Sequence, residues 1–171
     1  MGLEHTAVVG KLVNKLCNNL RAWADDESVM TRSLEVFHDM AFTYSSVKLL
    51  NALPATDFIL KNHGPRHYPF LDDPSQGRVR TKFYTCLARV LFMQEDPELK
   101  FDEFIRPVME QLDSIKERVA NKESSDELAR RVAGIGRDLR GIAAAAHNKR
   151  TYRLVFDAVF PDRITPMVQS C

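Results

Sequence analysis

The sequence lacks a strong excess of charge of one sign. Its 171 residues include 24 lysines and arginines against 23 aspartates and glutamates, so the formal net charge is +1. A nearly neutral chain gives no overall electrostatic reason to expect binding to nucleic acid or to an anionic membrane. We therefore expect neither nucleic acid nor a membrane as a partner.

Paired cysteines and long hydrophobic runs are also missing. Cys17, Cys86 and Cys171 are odd in number and far apart, which does not fit a zinc site or a disulfide framework. No apolar run approaches the roughly 18 to 20 residues that a membrane span needs. Residues 1–11 carry ionisable side chains where a signal peptide has its apolar core. These features predict a protein of a reducing compartment, the cytoplasm or the nucleus.

Apolar residues recur at helical spacing. Hydrophobic residues make up 44% of the chain and charged residues 27%, as in an ordinary soluble domain with its own core. Side chains three or four positions apart share one face of a helix. The clearest such stripe consists of Leu128, Val132, Ile135, Leu139, Ile142 and Ala146. No segment alternates apolar and polar residues convincingly. The sequence predicts an all-α fold.

The helices are expected to form one unit over residues 1–171. Residues 1–62 would form the first helical pairs, 63–77 a long loop, and 78–171 the later helical pairs. The loop contains three prolines and two glycines. The first expected helix lies at about 3–24, and the second begins at the capping residues 25–28 and reaches about residue 44. The others lie at about 45–52, 55–62, 76–93, 97–119, 124–148, 152–160 and 164–169. Such an order suits either a compact bundle or stacked helix pairs of the HEAT or armadillo type.

Bulky apolar side chains indicate which surfaces face the core. Trp23 and Tyr44 continue the apolar spacing of the first two helices, so we expect them on the inward faces. Tyr68, Phe70 and Leu71 indicate that part of the long loop packs back onto the core.

Local signals add detail to the expected helices. Ser124 and Glu127 have the spacing of a capping box, which predicts a helix start there. Gly134 and Gly141 lie within an apolar stripe, which favours the close approach of another backbone. Asp138, among arginines, is expected to hold a loop or a neighbouring repeat by ion pairs, with direct partner binding as the alternative.

Charge is segregated along the chain. Residues 95–113 contain seven acidic side chains, and residues 130–153 contain seven basic ones. Helices of opposite charge can complement each other, so we expect the two segments to lie side by side. Docking of a partner on these charges is the alternative.

Candidate catalytic and metal-binding residues are weak. His63 and His67 are separated by Gly64-Pro65 and have no adjoining third ligand, so we interpret them as polar loop residues. His38 beside Asp39 is more typical of a surface residue than of a general base. A basic group of Arg78, Arg80, Lys82 and Arg89 accompanies Phe83, but that ring belongs to a buried stripe and is not free to stack on bases. We expect no enzyme, no metal and no cofactor, and we assign no catalytic or binding residue.

Five blocks of sequence carry a resemblance to a known family. They are Arg32–Phe37, Tyr44–Lys48, Asn62-His63, Arg80–Thr85 and Arg137–Ala143. In order and spacing they resemble the exportin-7 family of the importin-β, or karyopherin, superfamily, over about residues 32–166.

The resemblance implies a fold and a function. Members of this family are long superhelices of HEAT-like helical pairs that carry protein cargo between nucleus and cytoplasm under the control of the Ran GTPase. The resemblance implies a segment from the middle of such a solenoid, with protein cargo, nucleoporins and Ran as partners. Ran would bind chiefly through repeats that this chain lacks. The alternative is a stand-alone helical-repeat scaffold without transport activity.

Overall fold

A computed structural model describes residues 3–73, 75–122 and 124–160. Within these ranges the backbone forms eight α-helices, one short 3₁₀ helix and no β-strand. The helices are α1 (Leu3–Ala22), α2 (Glu27–Phe42), α3 (Tyr44–Asn51), α4 (Pro54–Lys61), α5 (Gly77–Phe92), α6 (Glu98–Ala120), α7 (Asp126–Ala145) and α8 (Lys149–Val159). The all-α prediction is confirmed, and the helix expected at 164–169 lies outside the described residues.

Prolines and cap residues place the helix boundaries. Pro54 is the first residue of α4, and Leu53 before it is extended, with φ −92° and ψ 132°. The side chain of Asp26 accepts a hydrogen bond from the amide of Val29 at 3.0 Å and caps α2. Asn148 and Thr151 form a reciprocal capping box at α8. These local interactions explain why the sequence placed most helices correctly.

The capping box expected at Ser124 and Glu127 is wrong by one residue. Ser125 is the N-cap of α7, and its hydroxyl accepts a hydrogen bond from the amide of Leu128 at 3.1 Å. Two consecutive serines offer the same chemistry, so the sequence could not separate them. The shift leaves the Glu127 carboxylate able to pair with Arg131 instead, at 2.9 Å.

Helix α5 lies at the centre of the described structure. It packs against α2, α3, α4 and α7, and its contact with α7 is the most extensive between any two described helices. Its buried side chains surround much of the helix and include Phe83, Tyr84, Cys86 and Leu87. The contacts then continue from α7 to α6 and α8. Neighbouring helices thus pack in succession, as they do in helical repeats.

The predicted inward faces need several corrections. Trp23, Tyr44 and Val132 are exposed by 53%, 63% and 44%. Trp23 follows the end of α1, and Tyr44 begins α3, so neither continues the buried stripe of the helix before it. Val132 is exposed because the buried face of α7 is centred on glycines and an aspartate that an apolar pattern omits.

The acidic and basic segments do lie side by side. Arg150, just after the start of α8, donates two hydrogen bonds to the Glu98 carboxylate at the start of α6. It also lies 3.5 Å from a carboxylate oxygen of Asp96. The expected complementarity of the two segments is confirmed at this contact.

Candidate functional site

The crossing of α5 and α7 depends on a glycine. A β-carbon at Gly141 would collide with the carbonyl oxygen of Thr81 and would lie 3.0 Å from Cβ of Tyr84. A β-carbon at Gly134 would lie 3.0 Å from Nη1 of Arg80. The expected close approach of another backbone is confirmed at Gly141, whereas Gly134 faces a side chain. The small residues let the two helices approach closely.

Arg80 and Asp138 form a buried ion pair at this crossing. Nε of Arg80 donates to one carboxylate oxygen of Asp138 at 2.9 Å, and Nη2 donates to the other at 2.5 Å. The two side chains are only 7% and 0% exposed. Nη1 of Arg80 donates to the carbonyl oxygen of Leu71 in the loop. One guanidinium therefore joins α5, α7 and the loop.

The electrostatics of the pair follow from burial and contact. Burial raises the pKa of Asp138, and the hydrogen bonds and charge of Arg80 oppose that rise. Burial lowers the pKa of Arg80, but the hydrogen bonds and charge of Asp138 outweigh it and hold that pKa above its ordinary value. The expectation that Asp138 holds a loop by ion pairing is met through Arg80. Arg80 is accordingly not part of a basic surface group.

Part of the long loop is packed onto the core. Tyr68, Phe70 and Leu71 are buried, as expected, and residues Pro69–Leu71 form the 3₁₀ helix. The ring of Phe70 meets the ring of Phe83 edge to face, with centroids 5.2 Å apart. Because aromatic contacts and Arg80 both hold the loop, it forms a fixed wall beside α5.

His63 is not the polar loop residue that the sequence suggested. Its side chain is fully buried, and Nε2 donates to the carbonyl oxygen of Phe104 at 2.8 Å. Nδ1 lies 3.4 Å from the hydroxyl oxygen of Tyr84. Burial lowers the pKa of His63 to about 4. Both ring nitrogens face protein groups, so His63 joins the loop to α5 and α6.

His38 and His67 do not converge on a site. The ring of His67 lies against Phe58, with centroids 5.9 Å apart. Nδ1 of His38 lies 3.7 Å from a carboxylate oxygen of Asp39, and its ring stacks on Phe42. Over the described ranges, no group of three or more histidine, cysteine, aspartate or glutamate side chains could hold a metal ion.

A groove lies between the loop, α6 and the first turns of α7. We call it the loop–α7 groove, and its volume is about 1,020 Å³. It is lined from the loop side by Lys61, Asn62, Gly64, Pro65, Arg66, His67, Leu71 and Asp72, with Arg80 of α5. It is lined from α6 and α7 by Pro107, Glu110, Gln111, Ser114, Ile115, Arg118, Glu127, Arg130, Arg131 and Ile135. Its lining combines basic, acidic and apolar groups.

Most charges in the loop–α7 groove are paired. Nζ of Lys61 lies 3.0 Å from the Asp57 carboxylate. Glu127 is shared between Arg131 and Arg118, at 2.9 Å and 3.9 Å. No sequence pattern indicates this groove, because its walls come from three separate segments that only packing brings together.

Comparisons with known proteins show which family this chain resembles. Residues 1–79 match the family described as "Exportin-7-like, TPR domain". Exportin-7-B of Xenopus laevis is 34% identical over 166 residues, which are 92% of this chain and 15% of that protein. This chain is an exportin-7-like sequence. Exportin-7 of Dictyostelium discoideum is 35% identical over 158 residues, 90% of this chain and 15% of that protein.

The similarity of this exportin-7-like chain extends to a protein named for Ran. Ran-binding protein 17 of Homo sapiens is 32% identical over 169 residues, 95% of this chain and 15% of that protein. The chain therefore spans about 15% of the length of these relatives. No solved structure matches it significantly.

The comparisons confirm the resemblance seen in the sequence and the helical-repeat fold. The matched family is described by a TPR domain, whereas the sequence suggested HEAT or armadillo repeats. All three classes are stacks of helix pairs. Three of the five blocks that carried the resemblance meet in the structure, because His63 contacts Tyr84 and Arg80 pairs with Asp138. No described helix is long and apolar enough to cross a membrane.

Proposed function

We propose that this chain is a helical-repeat segment of a nuclear transport receptor that carries protein cargo between nucleus and cytoplasm under Ran-GTP control. The observation that carries the proposal is the similarity, over 90% to 95% of the chain, to proteins named exportin-7 and Ran-binding protein 17. On this proposal the protein moves between nucleus and cytoplasm and contacts nucleoporins during transit.

The segment would contribute shape and surface rather than chemistry. The buried pair of Arg80 and Asp138 and the tight crossing at Gly141 support a fixed arrangement of α5, α7 and the loop. A fixed arrangement keeps exposed side chains in register for a protein partner and lowers the entropy lost on binding. Ran would bind chiefly through other repeats of the receptor, and cargo would be held by the receptor as a whole.

The proposal also treats residues 1–171 as one unit. Helices from 1–62 and from 78–171 would unfold together, since α5 packs against α2 on the one hand and α7 on the other. Urea unfolding followed by far-ultraviolet circular dichroism and by Trp23 fluorescence should give one shared transition. Two separated transitions would contradict a single unit.

The transport role is tested in the complete protein that contains these residues. We expect it to bind Ran loaded with a non-hydrolysable GTP analogue and to bind Ran-GDP much more weakly. Equal binding to both nucleotide states, or none to either, would contradict the proposal and favour a helical scaffold without transport activity.

A segment exchange tests whether this chain can replace the matching segment of a relative. The matching segment of Dictyostelium discoideum exportin-7 is replaced by this chain, and Ran-GTP binding and nuclear export of a cargo are measured. We expect both to be retained. The control chimera carries Gly141→Leu, which separates α5 from α7, and should lose export. A well-folded first chimera without export would show that the segments are not equivalent.

A further inference from the structure

The loop–α7 groove has an unbalanced charge. Six lysines and arginines line it, against Asp72, Glu110 and Glu127. Asp138 neutralises the buried Arg80, and Asp57 neutralises Lys61. Among the described lining residues, four guanidinium groups then remain against three carboxylates, an excess of one positive charge.

Two of the guanidinium groups that line the groove form no ion pair in the described part of the chain. Arg66 lies on the loop and Arg130 on α7, and both line the groove. Within the described part of the chain, neither forms an ion pair with a carboxylate, and Nε of Arg130 donates only to the backbone carbonyl of Asp126 at 3.1 Å. A guanidinium that lacks a carboxylate partner binds one from another molecule in a strong, two-pronged geometry.

We propose that the loop–α7 groove binds an acidic, extended segment of a partner protein. Carboxylates of that segment pair with Arg66 and Arg130, while its intervening side chains lie along Pro107 and the edges of Ile115 and Ile135. The proposal does not depend on the transport role, because it rests on the groove alone.

The size and rigidity of the groove suit a peptide. About 1,020 Å³ is at the upper end of the roughly 300 to 1,000 Å³ found for small-molecule sites, so several side chains fit. The hydrogen bond from Arg80 to the Leu71 carbonyl keeps the loop wall in place. A wall that is already ordered reduces the entropy lost when a flexible segment binds.

The lining favours a peptide over nucleic acid. A continuous phosphate backbone passing through the groove would meet the carboxylates of Asp72 and Glu110, whereas a peptide can space its charges around them. Sequence-tolerant binding of single strands relies on aromatic platforms, and His67 is the only aromatic ring among the lining residues.

The first experiment measures peptide binding by the 171-residue chain. The probe is a fluorescent peptide of about a dozen residues that alternates glutamate with alanine, and its reference replaces each glutamate by glutamine. We expect the glutamate peptide alone to bind, with an affinity that falls as salt is raised. Equal binding of the two peptides, or no binding of either, would overturn the proposal. Tighter binding of a single-stranded oligonucleotide would overturn it in favour of nucleic acid.

The matched variants locate the site. R66E/R130E reverses both groove charges, and we expect the affinity for the glutamate peptide to fall by at least about tenfold. R32E/R140E makes the same change at exposed positions that do not line the groove, and its affinity should stay within about twofold of the unaltered protein. All four arginines are exposed, so circular dichroism should show both variants folded. Equal losses of affinity in both variants would show that peptide binding responds to the net charge of the protein. That result would overturn the proposal that the peptide binds in the groove.

A further measurement separates this proposal from the transport proposal. In the complete protein, R66E/R130E should lose the glutamate peptide and keep binding to Ran-GTP. Peptide binding without any Ran-GTP binding would leave the groove proposal standing and contradict transport. Ran-GTP binding without peptide binding would contradict the groove proposal and leave the transport proposal standing.

Discussion

Arg80 and Asp138 are joined by two hydrogen bonds across the crossing of α5 and α7, although they lie 58 positions apart in the chain. The same guanidinium donates to the Leu71 carbonyl. A single side chain therefore couples the packing of two helices to the position of the loop that forms one wall of the groove.

Removing the carboxylate should destabilise the fold strongly. Asp138→Ala leaves the Arg80 guanidinium buried without its partner, and we expect the free energy of unfolding to fall by about 3 to 5 kcal/mol. Urea denaturation measures the loss. The double variant R80M/D138L removes both charges and should recover most of it, since buried apolar pairs often replace buried ion pairs without loss. A decrease below about 1 kcal/mol in D138A would contradict the structural role of the pair.

Two glycines of α7 should respond to alanine with opposite signs. Gly141→Ala pushes a β-carbon into the Thr81 carbonyl, and such overpacking lowers stability by about 1 to 3 kcal/mol. Gly136 has open space around it, so Gly136→Ala should raise stability by up to about 1 kcal/mol through helix propensity. Thermal and urea unfolding of the two variants provide the comparison. The same sign for both would show that the helices do not cross closely at Gly141.

His63 should make stability depend on pH in the acidic range. Its pKa is about 4 in the folded protein against 6.5 as the ordinary value. Between these values the unfolded chain binds a proton that the folded chain does not, so the free energy of unfolding falls as the pH falls. This group contributes a slope of about 1.4 kcal/mol per pH unit, and nothing above pH 6.5.

The variant His63→Gln separates this contribution from that of the carboxylates. Glutamine keeps a donor for the Phe104 carbonyl but cannot titrate. The difference in the free energy of unfolding between H63Q and the unaltered protein should therefore change between about pH 4 and pH 6.5. Tyr84→Phe removes the nearby hydroxyl and keeps His63, and its pH dependence should match the unaltered protein. Parallel profiles for H63Q and the unaltered protein would contradict the burial of His63.

The N-cap of α7 can be identified by a pair of serine variants. Ser125→Ala removes the hydroxyl that accepts from the Leu128 amide, which should lower stability by about 0.5 to 2 kcal/mol. Ser124 has an exposed side chain one residue earlier, and Ser124→Ala should change little. Urea unfolding decides between them. A larger loss of stability in S124A than in S125A would support the capping box at Ser124 and Glu127 that the spacing predicted.

Local chemistry accounts for the features that the sequence predicted well. Helix positions follow from apolar spacing, caps and prolines, which act over a few neighbouring residues. The close approach at Gly141 was also predicted, because a glycine within a buried stripe lacks the β-carbon that would hold a facing helix away. The exposed Trp23 and Tyr44 show the limit of this reasoning, since a periodic pattern does not reveal where a helix ends.

The all-α class, the order of the helices, the return of the loop onto the core and the resemblance to exportin-7 could all be predicted from the residues. The partner of Asp138, the burial of His63 and the loop–α7 groove became visible only once the helices were packed together. Arg80 and Asp138 lie 58 positions apart in the chain, and His63 and Phe104 lie 41 positions apart. Contacts at such separations depend on how whole helices pack, and neither spacing nor composition encodes that packing locally.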